Sequence, residues 1–285
     1  RMAREKKPLV IDHLRSWGPW MTSIDAEPVT VLDGMSQTAT LASGFASDAA
    51  VAAYFKGDFE HTLTTSPDSA IDVHPIQARY VDTLRDLHPG LPHVTFANSG
   101  AEANERAFAL CKLNAKHPMA QTVVAFQGSF HGRTLQSLHA TWNPKKRTPY
   151  ELPGFEVTFI PFPEPSPQPT GGSATPDGYL QAWARGDVEG ARQCASAANF
   201  LKEELDSLES LHRILSTGDV YAVIIEPMQS EGGDRYGARR FYRCLRLLTR
   251  HHEVALIIDE VQTGYGLGGP FSWGLSYGFI DADGH

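Results

Sequence analysis

Four short segments concentrate the side chains that could do chemistry, and each follows a run of apolar residues. Asn98-Ser99-Gly100-Ala101-Glu102-Ala103-Asn104 follows a predicted strand and opens a predicted helix. A helix N-terminus offers unpaired N–H groups and the positive end of its dipole. Ser99 adds a hydroxyl and Gly100 lets the backbone come close, which together make a cup for a phosphate. The same residues also read as an ordinary N-cap with a glycine beside it. Gly128-Ser129-Phe130-His131-Gly132-Arg133-Thr134 again comes directly after a strand, where catalytic loops of α/β sheets sit. Phe130 could lie flat on an aromatic ring, and Arg133 is a permanent cation suited to bidentate capture of a carboxylate. Core packing for Phe130, a surface salt bridge for Arg133 and a satisfied polar role for His131 are the alternatives.

Two carboxylates complete the set. Asp259, in Asp259-Glu260-Val261-Gln262-Thr263-Gly264, ends the apolar run Val254 to Ile258, so a strand delivers it to its carboxyl edge. An ionised carboxylate there is costly unless it meets a cation or a hydrogen-bond donor, and a protonated heteroaromatic nitrogen is both. A helix cap is the plainer use of such an aspartate. Gln262, a turn later, could hydrogen-bond a hydroxyl on the same ring. Glu226, in Ile225-Glu226-Pro227-Met228-Gln229-Ser230-Glu231-Gly232-Gly233-Asp234, also ends a buried run and needs a partner. A structural arginine could supply it, with Gly232-Gly233 making a turn.

The elements that must position these residues follow from apolar periodicity. Val220 to Ile225 and Val254 to Ile258 are apolar at successive positions, the pattern of strands buried on both faces. That predicts an α/β fold: a mostly parallel central sheet with helices on both faces. Further strands are predicted at His93 to Ala97, Thr122 to Phe126 and Glu156 to Ile160. Helices are predicted at Pro75 to Leu87, Ala101 to Lys116, Ala191 to Leu215 and Ala238 to His252. Repeated prolines in Pro161 to Gly178 fix φ and remove N–H donors, so this stretch reads as a surface loop or insertion. Residues 1–45, with Val31-Leu32-Asp33-Gly34, read as a small antiparallel lead-in to a large domain over residues 46–285.

Composition narrows the function classes. Of 285 residues 41% are hydrophobic and 20% charged, which is a globular balance. A formal net charge of -8 with no long basic stripe argues against a nucleic-acid partner. Cys111, Cys194 and Cys244 are odd in number and widely spaced, so neither a disulfide framework nor a metal site is expected, and a reducing cytoplasm fits. No apolar stretch is long enough to span a bilayer.

Taken in order, Ser99-Gly100-Ala101, Phe130-His131-Gly132-Arg133-Thr134, Glu226-Pro227 with Ser230-Glu231-Gly232-Gly233-Asp234, and Asp259-Glu260-Val261-Gln262-Thr263-Gly264 resemble the successive signature segments of the class III aminotransferases. The Glu226 to Asp234 stretch is particularly similar to the 4-aminobutyrate and lysine 6-aminotransferase branch. The resemblance implies pyridoxal 5′-phosphate (PLP) as cofactor and a PLP fold type I large domain, with part of a small domain at the N-terminus. It implies that Ser99, Gly100 and Ala101 hold the phosphate, that Phe130 stacks on the ring with His131 beside it, that Asp259 pairs with the ring nitrogen and that Gln262 contacts O3′. Arg133 would hold a substrate carboxylate, and Glu226 would partner an arginine serving the other half-reaction. The implied reaction moves an amino group from an ω-amino acid to a 2-oxo acid, with 2-oxoglutarate as acceptor, in a homodimer. A decarboxylase or racemase on the same fold stays open, since motifs that hold a cofactor do not fix which bond breaks.

The family's Schiff-base lysine lies roughly thirty residues beyond the aspartate matching Asp259, whereas no lysine follows Lys202 here. None of the eight lysines sits in a similar motif. The expectation is an excerpt of a longer active enzyme, because Asp259, Gln262 and Arg133 are all retained. A split fragment and a non-catalytic binding relative are the alternatives.

Overall fold

An antiparallel ribbon of β1 (Trp20–Thr22) and β2 (Thr30–Leu32) comes first among the residues that the computed structural model describes, which are 9–57, 75–88, 90–150, 153–163, 175–197, 202–266 and 272–277. After it come α1 (Ser36–Ala39), a single turn with left-handed φ throughout, then α2 (Asp48–Phe55), α3 (Pro75–Leu87) and α4 (Gly100–Leu113). β3 (Thr122–Phe126) leads through α5 (Leu135–His139) and α6 (Pro144–Arg147) to β4 (Glu156–Ile160). Next are α7 (Tyr179–Ala184), α8 (Val188–Ala197), α9 (Lys202–Leu215) and β5 (Val220–Ile225). A hairpin of β6 (Met228–Gln229) and β7 (Arg235–Tyr236), then α10 (Arg239–His251), β8 (Ala255–Ile258) and α11 (Trp273–Tyr277), complete the described chain.

The central sheet has the order β4-β3-β5-β8, and every neighbouring pair is parallel. Its side chains alternate between two apolar layers, which is why the runs are apolar at successive positions. Val124 and Phe126 of β3 join Val223 and Ile225 of β5 under α7 to α10, while Val123 and Ala125 join Ala222 and Ile224 on the opposite face against Phe108 of α4. Each large side chain withdrawn from water in these layers contributes about 1.5–3 kcal/mol. The expected α/β class with helices on both faces is the observed one.

The details differ in instructive places. His93 to Ala97 forms no strand, because its backbone groups find no ladder partner among the described residues. The helix expected from Ala101 begins at Gly100 and stops at Leu113, short of Lys116. Over Ala191 to Leu215 the described residues are helical, in α8 and α9, and residues 198–201 lie outside the described set. α8 starts earlier than periodicity suggested because the Asp187 carboxylate accepts the Gly190 N–H at 2.9 Å, capping the first turn. Within Pro161 to Gly178 the described ends carry no helix or strand, and residues 164–174 lie outside the described set. The Gly232-Gly233 pair makes the β6–β7 hairpin turn, where Gly233 takes φ +104. Among the described residues no helix is long and apolar enough to cross a membrane.

Candidate active site

The strand order fixes where a ligand crevice opens. From β3 the chain crosses to β4 on one side, and from β5 it crosses to β8 on the other, so the carboxyl ends of β3 and β5 flank the switch point. The loop carrying Phe130 follows β3, Glu226 follows β5 and Asp259 follows β8. Hydrogen bonds join these ends: the Phe130 N–H donates to Glu226 Oε2 at 3.1 Å, and the Asp259 N–H donates to the Ile225 carbonyl at 2.8 Å.

Asp259 sits at the centre of a buried network. Its Oδ2 accepts two bonds at 2.8 Å, from His131 Nδ1–H and from the Asn104 amide, while Oδ1 accepts the Val261 N–H at 3.2 Å. Burial opposes its charge, but the hydrogen bond and charge of His131, with the Asn104 and Val261 donors, hold Asp259 below the ordinary aspartate range. It is therefore a carboxylate at neutral pH. The helix-capping use open to Asp259 falls to its neighbour: Glu260 accepts the Trp273 N–H at 2.9 Å and the Gly274 N–H at 2.8 Å at the start of α11. His131 is fully enclosed behind Asp259, and its Nε2 has no hydrogen-bond partner among the described residues.

The start of α4 lies directly against this network. Ser99 does act as N-cap, its Oγ accepting the Glu102 N–H at 3.2 Å, and Glu102 accepts the Asn98 N–H in return at 2.9 Å. The capping use leaves the Ser99 hydroxyl proton to donate, and the N–H groups of Gly100 and Ala101 have no helical carbonyl behind them. A Cβ on Gly100 would lie 2.4 Å from Val261 Cγ2, so only glycine lets the first turn of α4 rest on the residue two places after Asp259. Gly132, at φ +132, makes the matching approach: a Cβ there would lie 2.6 Å from the Ala101 Cβ. Two glycines thus bring the Ser99 turn, the Phe130 loop and Asp259 to one place.

Around this centre lie the other residues singled out from sequence. Phe130 is half-buried and belongs to neither apolar layer. Two cations face its ring, Lys146 Nζ at 5.4 Å and the exposed Arg133 guanidinium at 5.9 Å from the centroid. No salt bridge joins Arg133 to a carboxylate among the described residues. Gln262 reaches back to the Thr38 carbonyl through a long 3.5 Å contact, which brings α1 to the rim. Residues the sequence did not single out are Asn104, Thr141, Lys146 and Val261. Asn104 stands one helical turn after Gly100, and a polar residue at that spacing was the available signal. Thr141, just after α5, accepts the His131 N–H at 2.9 Å, and nothing local in the sequence marks it.

Glu226 is 5% exposed, and no arginine pairs with it among the described residues. Burial, then the charge of Asp259, push its carboxyl well above the ordinary range, with the Phe130 N–H offsetting part of this and Glu231 adding to it. A raised folded-state value means that its contribution to stability is full below the unfolded pKa and is lost as pH rises through the folded one. The neutral isostere Glu226→Gln is therefore expected to raise the melting temperature at pH 7–8 relative to wild type, with the gap closing toward pH 4. Calorimetry across that range checks it, and equal melting temperatures throughout would remove the charge penalty.

A family model described as Aminotransferase class-III matches residues 1–283. An acetylornithine aminotransferase from Methanopyrus kandleri is 34% identical over 198 residues, covering 68% of this chain and 38% of that protein. A 4-aminobutyrate aminotransferase from Schizosaccharomyces pombe is 27% identical over 301 residues, covering 94% of this chain and 57% of that protein. Among solved structures, a lysine aminotransferase from M. tuberculosis superimposes with a TM-score of 0.71 at 25% identity, over 93% of this chain and 58% of that one. The chain spans about half the length of the curated relatives it matches.

Proposed function

Because the chain belongs to the class III aminotransferase family, whose members depend on PLP, we propose that it holds PLP at the carboxyl edge of β3, β5 and β8. The reaction we assign to the whole protein moves an amino group from an ω-amino acid, 4-aminobutyrate-like or lysine-like, to a 2-oxo acid, with 2-oxoglutarate as acceptor. The observation that carries this reading is the convergence of the Gly100 turn and the buried Asp259 carboxylate, bridged by the contact of Gly100 with Val261.

The residues present fit the cofactor. Gly100 leaves a cradle that a side chain would fill, and the Gly100 and Ala101 N–H groups with the Ser99 hydroxyl suit a phosphate. Asp259 offers Oδ1 with an accepting position left, since Oδ2 already takes two donors. When bound, PLP supplies a ring that draws electrons from the substrate carbon bearing the amine. The chain's own residues prepare that chemistry. Asp259 holds negative charge where a ring proton must stay, His131 supports Asp259 from behind, and Phe130 offers a ring face for stacking. Arg133 is free to take the carboxylate of the ω-amino acid, and Gln262 to meet a ring hydroxyl. Acetylornithine, 4-aminobutyrate and lysine all carry a primary amine remote from a carboxylate, which is the donor class that Arg133 suits.

The test is direct. The full-length protein is expected to gain visible absorbance on adding PLP and to retain the ring covalently on a lysine after borohydride reduction. Amine transfer from 4-aminobutyrate or lysine to 2-oxoglutarate should then be measurable with the loaded enzyme. Absence of any absorbance change with PLP in excess would overturn the reading. A cytoplasmic homodimer belongs to the same proposal, and light scattering of the purified protein checks the stoichiometry.

A further inference from the structure

We infer that Asn104 is a positioning residue that ties the phosphate end of the site to its nitrogen end, fixing Oδ2 of Asp259 so that Oδ1 is the atom presented to the ring. The inference rests on the PLP reading above and concerns a residue that reading does not use. Asn104 is 6% exposed in the interior of α4, where an asparagine is less favourable than alanine. Its presence there calls for a compensating interaction, and the structure supplies two. The amide Nδ2 donates to Asp259 Oδ2 at 2.8 Å and to the His131 carbonyl at 2.9 Å, so both of its protons are used.

Those two acceptors belong to the two residues that the His131–Asp259 bond joins, the carbonyl of one and the carboxylate of the other. One amide therefore sets the carboxylate plane and the His131 peptide together. Because Asn104 lies four residues after Gly100, about 6 Å along the helix axis, the helix whose N-terminus forms the phosphate cup is the same rigid piece that grips Asp259. Oδ2, with donors from Asn104 and His131, has no lone pair left. Oδ1 holds only the longer 3.2 Å bond from Val261 N–H and keeps one. Losing Asn104 frees the carboxylate to turn and leaves Oδ2 competing for the ring.

The experiment compares PLP with its 1-deaza analogue, in which carbon replaces the ring nitrogen, on the full-length protein. Dissociation constants for both are measured by absorbance with wild type, Asn104→Ala and Asn104→Leu. A charge-assisted hydrogen bond of this kind is worth about tenfold or more in affinity. PLP is expected to weaken at least about tenfold in both variants while the analogue changes less than about threefold, so the preference for PLP shrinks. The ratio within each variant cancels any loss of folded protein. Equal weakening of both ligands would reduce Asn104 to a structural role and overturn the inference, as would unchanged affinity for both. A wild-type protein that binds neither ligand overturns the cofactor reading and this inference with it.

Discussion

Asp259→Asn is expected to lower kcat for amine transfer by roughly 10²–10³-fold, the scale seen when a preorganised electrostatic partner is removed from a reacting centre. The substitution keeps the volume, and His131 and Asn104 would still find a carbonyl oxygen at the place of Oδ2. What disappears is the negative charge that, in the function proposed above, keeps a ring nitrogen protonated. The surroundings of Asp259 are built to maintain that charge: burial works against it, and His131, Asn104 and Val261 outweigh the burial. A lowered folded-state pKa means that the stabilisation from these bonds is present above the ordinary aspartate range and is lost only as pH falls through the folded value. Asp259 therefore stays ionised from weakly acid to alkaline pH, and a bell in the activity profile there must come from other groups. Steady-state kinetics and PLP titration of the full-length variant check the expectation. A kcat within about threefold of wild type, with PLP bound normally, would remove Asp259 from the role.

Why was so much of this site visible in the sequence? Three of its four segments follow strands whose apolar runs are unmistakable, and a parallel sheet delivers whatever follows such a run to one edge. Val220 to Ile225 forms its strand over those bounds, Thr122 to Phe126 likewise, and Val254 to Ile258 loses only its first residue. Pairing across strands is harder to read. His93 to Ala97 has the composition of a strand, but a strand exists only when another backbone accepts its hydrogen bonds. The bonds that assemble the site are also long in sequence: Asn104 meets Asp259 across 155 positions, and Phe130 meets Glu226 across 96. Periodicity carries no information about such pairs. The family resemblance implies His131 beside the ring, whereas only the fold shows that its imidazole meets the Asp259 carboxylate. Gly100 and Gly132 were legible as glycines in loops; their use, letting α4 and the Phe130 loop approach within van der Waals distance, depends on what stands opposite.

The largest effect on stability is expected at a pair the sequence leaves unmarked. Glu204 of α9 and Arg240 of α10 are 2% and 8% exposed, with Arg240 Nε 3.1 Å from both carboxylate oxygens and its terminal nitrogen 3.1 Å from Oε2. Burial raises the Glu204 pKa, and Arg240 recovers only part of it, so the carboxylate depends on that guanidinium for its charge. Arg240→Met leaves a buried charge without this partner, a loss of about 3–5 kcal/mol. Because Glu204 can then take up a proton, the loss should shrink as pH falls toward 5. The double variant Glu204→Met with Arg240→Met removes both desolvation costs and is expected to recover most of the stability, as buried pairs replaced by apolar side chains often do. Urea unfolding of wild type, Arg240→Met and the double variant at pH 5 and pH 8 measures these terms, and a single variant as stable as wild type at pH 8 would contradict the account. The pair matters to function because α9 and α10 belong to the helix layer on one face of the sheet, where α10 packs on β8, the strand whose end carries Asp259. If the two helices shift, Asp259 loses its register with the rest of the site, so the single variant should weaken PLP binding even at temperatures where it remains folded.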